Sequence, residues 1–343
     1  GVVVVCFYGL YEIRPISAQG RIFIWNVILH ELSDSIFWGH GPLEALYMPA
    51  QAEWFMEHQQ SQFSGLASNN IYAFNEILRF VFEVGIVGFV LFICLCWTIV
   101  KNVCSGNHAS CGSTILIVMS VFAGLFSYPF SVDMIVIVVI VAVAHISANT
   151  SKWLVWKGKI REEYKYIRFV VLCSFALVVL ENYVQTKRAD ILLKGAQKDI
   201  NVLFQENANY LYERFLSNPD FILCYGKTLY NNDLYHKALP VLEQGYRLRP
   251  SSELVCDLGM CYQYASNIVK AEDSFKLAVF MTPSYILPHY RLFCLYRKIG
   301  EEEKALRVAK YILTMPVKVV NTSVLRIRSQ VRQYLNNIKI ESR

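Results

Sequence analysis

No cysteine spacing typical of a metal site occurs in this sequence, although it contains 10 cysteines among 343 residues. No two cysteines form the Cys-x-x-Cys pair that structural zinc sites use. Cys94 and Cys96 lie inside an apolar run, and the cysteines after residue 220 occupy apolar positions of a helical pattern. We interpret them as small buried hydrophobic residues, so the sequence assigns no disulfide and no metal ion.

Charge is scarce up to about residue 186, where long apolar runs dominate. An α-helix needs about 20 residues to cross a bilayer, and the apolar runs are long enough to be such helices. The sequence therefore predicts an all-α protein. Its architecture is expected to be the C-terminal part of a polytopic transmembrane helix bundle, followed by a soluble helical domain. Without an initiator Met, the chain is expected to be a piece of a longer membrane protein. The predicted transmembrane segments are residues 1–11 (the end of one helix), then about 77–100, 113–130, 133–147 and 167–185.

Basic residues are nearly absent between residues 12 and 76, where Arg14 and Arg21 accompany seven carboxylates. The connection between residues 147 and 166 carries five Lys and Arg. Short loops rich in Lys and Arg remain in the cytoplasm. We therefore expect the 12–76 loop, and the domain over residues 187–343, to lie in the periplasm of a bacterial cell, outside a multi-pass inner-membrane domain.

Small residues recur at a fixed spacing near the C-terminus. A Gly, an Ala and a Pro return after one 33-residue step: Gly226, Ala238 and Pro250, then Gly259, Ala271 and Pro283. Small residues let two antiparallel helices approach closely, and the proline ends the second helix. The pattern resembles the tetratricopeptide repeat, with a looser third copy through Gly300 and Ala305. It implies an α-solenoid whose concave face could bind a protein partner.

The loop over residues 12–76 is far longer than an ordinary connection, which favours a functional segment. An amphipathic run from Arg21 to Leu32 could lie along the membrane surface. A Gly-His-Gly-Pro turn begins at Gly39, and Asn75-Glu76 leads into an apolar run that contains Glu-Val-Gly-Ile-Val-Gly. In this order the motifs resemble the O-antigen ligase and polymerase superfamily, in the form that carries a trailing tetratricopeptide domain.

The resemblance implies a glycan transferase that needs no metal and no cofactor. Its donor would be an undecaprenyl-diphosphate-linked glycan held among membrane lipids, and no nucleic acid partner is expected. The acceptor would be a hydroxyl of lipid A core, of another glycan or of a protein. A guanidinium offers two donors matched to the oxygens of the leaving diphosphate. Arg21 is the predicted catalytic cation, and the alternative is that it only anchors its helix at the membrane interface.

Five more site residues are predicted: Asn75 and Glu76 as catalytic, and Arg79, Glu53 and Tyr72 as substrate-binding. Many family members carry a His, suited to general-base catalysis, where this chain has Phe74. Either Glu53 or Glu76 replaces it, or the reaction needs no base. His40 is interpreted as a turn residue.

Three ionisable residues share one face of the predicted helix that follows the loop: Glu76, Arg79 and Glu83. Because charges inside a membrane are costly, Arg79 is expected to pair with one of the two carboxylates. The set is either a self-neutralised structural stripe or part of the substrate pocket, with Arg79 as a second diphosphate contact.

Two classes of function remain open. The leading hypothesis is a lipid-linked glycan transferase of the ligase type, with glycan polymerisation and protein O-glycosylation as variants. The alternative is a non-catalytic membrane scaffold that recruits glycan-assembly partners through its repeats. Phe74 in place of the family His favours the scaffold, whereas Arg21 and the long outer loop favour the enzyme.

Reporter fusions test the predicted topology. The five bases between residues 147 and 166 should hold that connection in the cytoplasm, because the 12–76 loop has only two. A fusion after Lys159 should report the cytoplasm, and a fusion after Lys198 should report the periplasm. Signals from the same side for both fusions would contradict the topology.

Overall fold

The computed structural model describes residues 12, 14–33, 35–59, 61–104, 111–150, 163–204 and 206–341. Within these residues every regular element is an α-helix or a 3-10 helix, so the all-α prediction is confirmed for the described part of the chain. The predicted helix end at residues 1–11 lies outside the described residues, as does most of the basic connection before residue 163.

Fourteen α-helices follow one another along the described residues. The first six are α1 (Pro15–Leu32), α2 (Leu43–Glu57), α3 (Glu76–Cys104), α4 (Cys111–Gly124), α5 (Asp133–Thr150) and α6 (Glu163–Ala196). The next four are α7 (Glu206–Arg214), α8 (Pro219–Asn231), α9 (Tyr235–Leu248) and α10 (Ser252–Tyr264). The last four are α11 (Ile268–Met281), α12 (Ile286–Ile299), α13 (Glu302–Thr314) and α14 (Thr322–Glu341).

The helices group into two compact units. The first contains the chain up to Ala73, the short stretch Phe82–Gly85 and everything from Ser217 onward. The second contains Phe74–Val81 and Ile86–Leu216. The long loop and the repeats therefore belong to one unit, and most of the apolar helices belong to the other.

One helix among the described residues is long and apolar enough to cross a membrane: Glu76–Cys94 within α3, with mean hydropathy 2.4. Gly112–Gly124 and Asp133–Ile146 are apolar but shorter. Helix α4 ends before the predicted residue 130, because a turn follows Gly124 and a proline cannot continue a helix. Helix α6 runs without interruption through the predicted domain boundary at residue 187.

Three consecutive helix pairs form the repeat array: α8 with α9, α10 with α11, and α12 with α13. Side chains at the N-caps of α8, α10 and α11 accept backbone N–H groups that have no partner inside the helix. A methyl group added to Gly259 would lie 2.5 Å from the ring of Phe275, so this glycine permits close contact between α10 and α11. Ala238, Ala271 and Ala305 are completely buried.

Gly259→Ala tests this helix contact. Alanine normally stabilises a helix relative to glycine, but here its methyl group overlaps the Phe275 ring. We expect the repeat unit to lose about 1–3 kcal/mol of unfolding free energy, the usual effect of overpacking. Gly20→Ala is the matched control, because Gly20 lies in α1 with nothing within 4 Å of an added methyl group. A thermal melt in which both variants equal or exceed the wild type would contradict the close contact.

Candidate functional site

The long loop folds as two packed helices with an aromatic core. Phe23 of α1 contacts Trp54 and Phe55 of α2, each with ring centroids 5.3 Å apart, and Phe63 at 5.5 Å. Five residues of α1 are buried, and all are apolar: Ala18, Phe23, Val27, Ile28 and Leu32. Of the segment predicted to be amphipathic, Ile28 is buried in the protein, whereas Leu29 is 54% exposed.

Arg21 is half-buried on α1, one helical turn before Trp25. The Trp25 indole donates a 2.8 Å hydrogen bond to the carbonyl of Ala73, which ties α1 to the segment that leads into α3. Residues four apart share a helix face, so Arg21 lies on the side of α1 that faces this segment. Partial burial lowers the pKa of the Arg21 guanidinium from its ordinary value, although an arginine remains charged in a protein.

Helix α3 is broken at Gly85, where φ is 72° and ψ is 177°. Only glycine commonly adopts this backbone region. At the break, the backbone N–H of His40 donates to the carbonyl of Phe82 at 2.8 Å, and that of Gly41 donates to the carbonyl of Glu83 at 3.2 Å. The Gly-His-Gly-Pro turn therefore supplies hydrogen bonds to carbonyls at an interruption of the helix.

Glu83 holds the start of α2. Its Oε1 accepts the backbone N–H of Leu43 at 3.2 Å, and Pro42 at the N-cap makes no side-chain cap hydrogen bond. A carboxylate at this place also interacts favourably with the helix dipole. Arg79 is expected to pair with either Glu76 or Glu83, and the structure gives Glu83 this capping contact.

Glu76 and Arg79 come together in the second unit. Glu76 Oε2 lies 3.6 Å from Arg79 Nη1, and its Oε1 accepts the backbone N–H of Phe130 at 3.2 Å. Arg79 Nη1 donates to Ser131 Oγ at 2.6 Å. Both side chains thus tie the start of α3 to the 3-10 turn Pro129–Ser131, which supports the structural interpretation of this pair.

Asn75 caps helix α3, because its Oδ1 accepts the backbone N–H of Leu78 at 3.0 Å. Phe74 before it has a positive φ of 53°, and its ring contacts Tyr128 edge-on with centroids 5.4 Å apart. An aromatic contact therefore occupies the place of the histidine that is common in the family the sequence resembles. Asn75 fixes where the helix begins, and a direct chemical role for it stays a prediction.

Glu53 and Tyr72 belong to the same unit as Arg21. Glu53 is exposed on α2 between the buried residues Ala52 and Trp54. The backbone of Tyr72 is held by Asn70, whose side-chain amide donates to its carbonyl at 2.6 Å and accepts its N–H at 3.3 Å. Their predicted contact with substrate stays a prediction, as does a shared site with Asn75, Glu76 and Arg79, which belong to the other unit.

His40 stacks on Phe82, with ring centroids 5.0 Å apart and an interplanar angle of 15°. Both its ring nitrogens are buried and have no hydrogen-bond partner among the described residues. This packing agrees with a residue that shapes the turn. No group of three His, Cys, Asp or Glu side chains in the described part of the chain could hold a metal ion.

Sequence reasoning did not find the contacts between the loop and the repeats. Helix α2 packs on α9 and α11 of the array, and Arg249 after α9 binds Glu44 in the first turn of α2. These two residues are 205 positions apart in the sequence. Only the unusual length of the loop could have indicated that it packs against another part of the chain.

Comparison with known proteins gives a limited result. No protein-family profile matches the chain. Over 87 residues it is 26% identical to a Rickettsia conorii protein named "Putative polysaccharide ligase", a match that covers 25% of this chain and 20% of that protein. The chain thus spans about a fifth of the length of this curated relative.

Two solved MamA structures, a mutant and one titled MSR-1, are 24% and 22% identical over 36% of this chain. The matches cover 74% and 73% of those chains. Their TM-scores are 0.30 and 0.31, values too low to carry an argument.

Gly85→Ala tests the contact between the turn and the broken helix. An added methyl group would lie 2.1 Å from the carbonyl oxygen of Phe37, at a φ that alanine avoids. We expect a loss on the order of 2–4 kcal/mol in local stability, from strain and overlap together. Hydrogen exchange of the His40 and Gly41 amides should accelerate, whereas Gly65→Ala, with open space around its added methyl group, should leave both amides protected. Unchanged protection in Gly85→Ala would contradict the contact.

Proposed function

We propose that the protein is a glycan ligase that acts at the outer face of a bacterial membrane. It transfers a glycan from an undecaprenyl-diphosphate carrier to a hydroxyl of lipid A core, of another glycan or of a protein. The 26% match to a protein named as a polysaccharide ligase supports this class of reaction. The observation that carries the proposal is the position of Arg21 in the loop.

Arg21 has the properties that the leaving group requires. The diphosphate gains negative charge as its bond to the sugar breaks, and a guanidinium can donate two hydrogen bonds to it. Partial burial removes part of the water around Arg21 and therefore strengthens its interaction with an incoming anion. Arg14, by comparison, is exposed at the start of the same segment.

The reaction forms one bond and breaks one. The acceptor hydroxyl oxygen attacks the anomeric carbon of the glycan, and the bond from that carbon to the diphosphate oxygen breaks. Undecaprenyl diphosphate leaves with the electron pair, and the hydroxyl proton passes to a base. Glu53, exposed on α2, and Glu76 are the candidate carboxylates, with solvent or the leaving diphosphate as the alternative.

The apolar surface near Gly85 supports a membrane location. After the break at Gly85, α3 has no charged residue before Lys101, and Ile86, Val87 and Val90 are exposed. The carbonyl of Phe37 lies against Gly85, and the side chains of Phe37 and Trp38 are 62% and 78% exposed. Aromatic residues of this kind concentrate at membrane interfaces. We propose that the membrane interface lies at this break.

A multi-pass bundle remains part of the proposal. In it, α4, α5 and α6 cross the inner membrane with α3, and the loop and repeats lie together in the periplasm. Membership of the loop and the repeats in one compact unit supports this arrangement, because two segments that pack together must share one side of a membrane.

A scaffold that recruits glycan-assembly partners is the second candidate. The aromatic contact between Phe74 and Tyr128, at the place of the family histidine, favours it. A scaffold would bind partners through its repeats and would not depend on the chemistry of Arg21. Substitution of this one residue therefore separates the two functions.

Arg21→Ala is expected to abolish transfer and to leave membrane insertion intact. Loss of a single charge-stabilising donor typically lowers kcat by about 100- to 1000-fold. Arg21→Lys should recover only part of the activity, because an ammonium cannot reproduce the paired donor geometry. The measurement is the amount of glycan attached to its acceptor in cells whose own gene has been deleted, relative to the amount of inserted protein.

Arg14→Ala is the matched control, since it removes an exposed arginine from the same segment. It should retain near-normal transfer. Near-normal transfer by an inserted Arg21→Ala protein would remove Arg21 from the site and support the scaffold.

A further inference from the structure

We propose that the repeat array is an internal clamp: it binds helix α2 of the same chain and thereby fixes the position of Arg21. This inference rests on the proposed function. In it the array positions the catalytic loop and leaves the recruitment of a partner to its other faces. Glu44, Gln51 and Asn69 of the loop make the contacts, and they meet Arg249, Met281 and Ser252 of the array.

The first contact is an ion pair at the N-terminus of α2. Glu44 Oε2 lies 3.1 Å from Nε and 3.0 Å from Nη2 of Arg249, whose Nη1 binds Asp220 at 2.5 Å. Burial lowers the pKa of Arg249, but hydrogen bonds to Asp220 and Glu44 outweigh it and raise the pKa overall. Two carboxylates thus hold the charged guanidinium between the array and the loop.

The second contact is buried. Gln51 is 1% exposed, and its side-chain amide donates to the carbonyl of Met281 at the end of α11 and to that of Ser68 at 3.4 Å. Its Oε1 accepts the hydroxyl of Tyr47, a side chain that is itself buried, at 2.9 Å. Because a buried donor without an acceptor is costly, loss of the Met281 carbonyl would leave one N–H of the Gln51 amide unsatisfied if α2 left the array.

The third contact holds the end of the loop. Asn69 Oδ1 accepts the backbone N–H of Ser252 at 3.0 Å and its hydroxyl at 3.2 Å. Ser252 is the first residue of α10, where backbone N–H groups lack partners within the helix. The array therefore binds the loop at three places: the first turn of α2, the middle of α2 and the segment before Tyr72.

The fixed position is passed on to Arg21 by two contacts. Phe23 lies two residues after Arg21 on α1. It packs on Trp54 and Phe55 of α2. The segment after Asn69 is joined to α1 by the hydrogen bond between Trp25 and Ala73. Helix α1 is thus held by both parts of the loop that the array binds. Misplacement of a catalytic group by about 1 Å can cost a hundredfold in rate, so the clamp matters for transfer.

The loop occupies one surface of the array. Helix α2 packs on α9 and α11, the second helices of two pairs. Asn69 of the loop binds the first turn of α10. The occupant of this surface is therefore a segment of the chain itself, and a separate protein would have to displace α2 to bind there.

The experiment combines Glu44→Ala with Asn69→Ala, two changes in the loop that leave the array's own side chains intact. Together they remove hydrogen-bonded contacts worth about 2 kcal/mol, so amides of residues 15–32 and 43–57 should exchange roughly 30-fold faster in the full chain. With the lipid-linked glycan extracted from the same cells as donor, kcat should fall about 10-fold and KM should change less. Amides of α12 and α13 should keep their exchange rates.

Two control variants distinguish loss of the contacts between loop and array from a general loss of stability. Lys276→Ala removes an ion pair with Glu272 within α11, and it should change neither loop exchange nor kcat. Asn69→Asp keeps an oxygen acceptor opposite the Ser252 N–H, and it should retain the protection of the loop.

Unchanged loop exchange in the double variant would overturn the clamp. Faster exchange with an unchanged kcat would overturn its positioning role. A wild-type protein that inserts but transfers no glycan would overturn the proposed function alone, and loop exchange would still decide whether the clamp exists.

Discussion

The arrangement of the loop depends on how the backbone is satisfied where α3 breaks at Gly85. An interrupted helix is stable only if other groups supply the hydrogen bonds that its backbone loses. The turn at His40 and Gly41 supplies two N–H donors to the carbonyls of Phe82 and Glu83, and Glu83 caps α2 in return. These hydrogen bonds require the backbone of the turn to contact the backbone of α3. Gly39 and Gly85 allow this contact, because both have positive φ angles and no side chain. The beginning of α2 is thereby fixed to the break in α3 at Gly85.

Once the start of α2 is fixed there, the repeats determine the rest of its path. Arg249 binds near the start of the helix, and the carbonyl of Met281 accepts from Gln51 near its middle. A free tetratricopeptide array would suit a scaffold, because its surfaces would be open to partners. An array that binds its own loop suits an enzyme better, since a catalytic group needs a rigid support. The loop contacts therefore favour the enzyme over the scaffold on physical grounds.

Local patterns in the sequence predicted several elements well. The 33-residue spacing predicted helix pairs, and Gly259 does lie where a side chain would collide with Phe275. The turn signal at Gly39 and the helix start at Asn75 are also local, because each depends on backbone preferences and short-range capping. The position of Arg79 was predicted only in part: it pairs with Glu76, but the hydrogen bond to Ser131 joins residues 52 positions apart.

Contacts that join distant parts of the chain could not be predicted from one sequence. The amphipathic pattern of α1 is compatible with a membrane surface and with a protein partner, because both accept an apolar face. Phe23 packs against Trp54 and Phe55, whereas Leu29 on the same helix is 54% exposed, so contact of α1 with a membrane surface stays a prediction. Likewise the length of the loop indicated a function, but only the folded chain shows that repeats some 200 residues away hold it.

Arg21 and Arg79 differ in the surroundings of their charges. Arg79 shares its charge with Glu76, which also binds the backbone of Phe130, so an incoming phosphate would compete with an existing ion pair. Arg21 has lost part of its hydration, as the lowering of its pKa by burial indicates. A cation that has lost part of its hydration gains more from an incoming anion than a fully hydrated one does, because less water must be displaced. Under the proposed function, Arg21 is therefore the counterion for the leaving diphosphate, and Arg79 anchors the start of the helix.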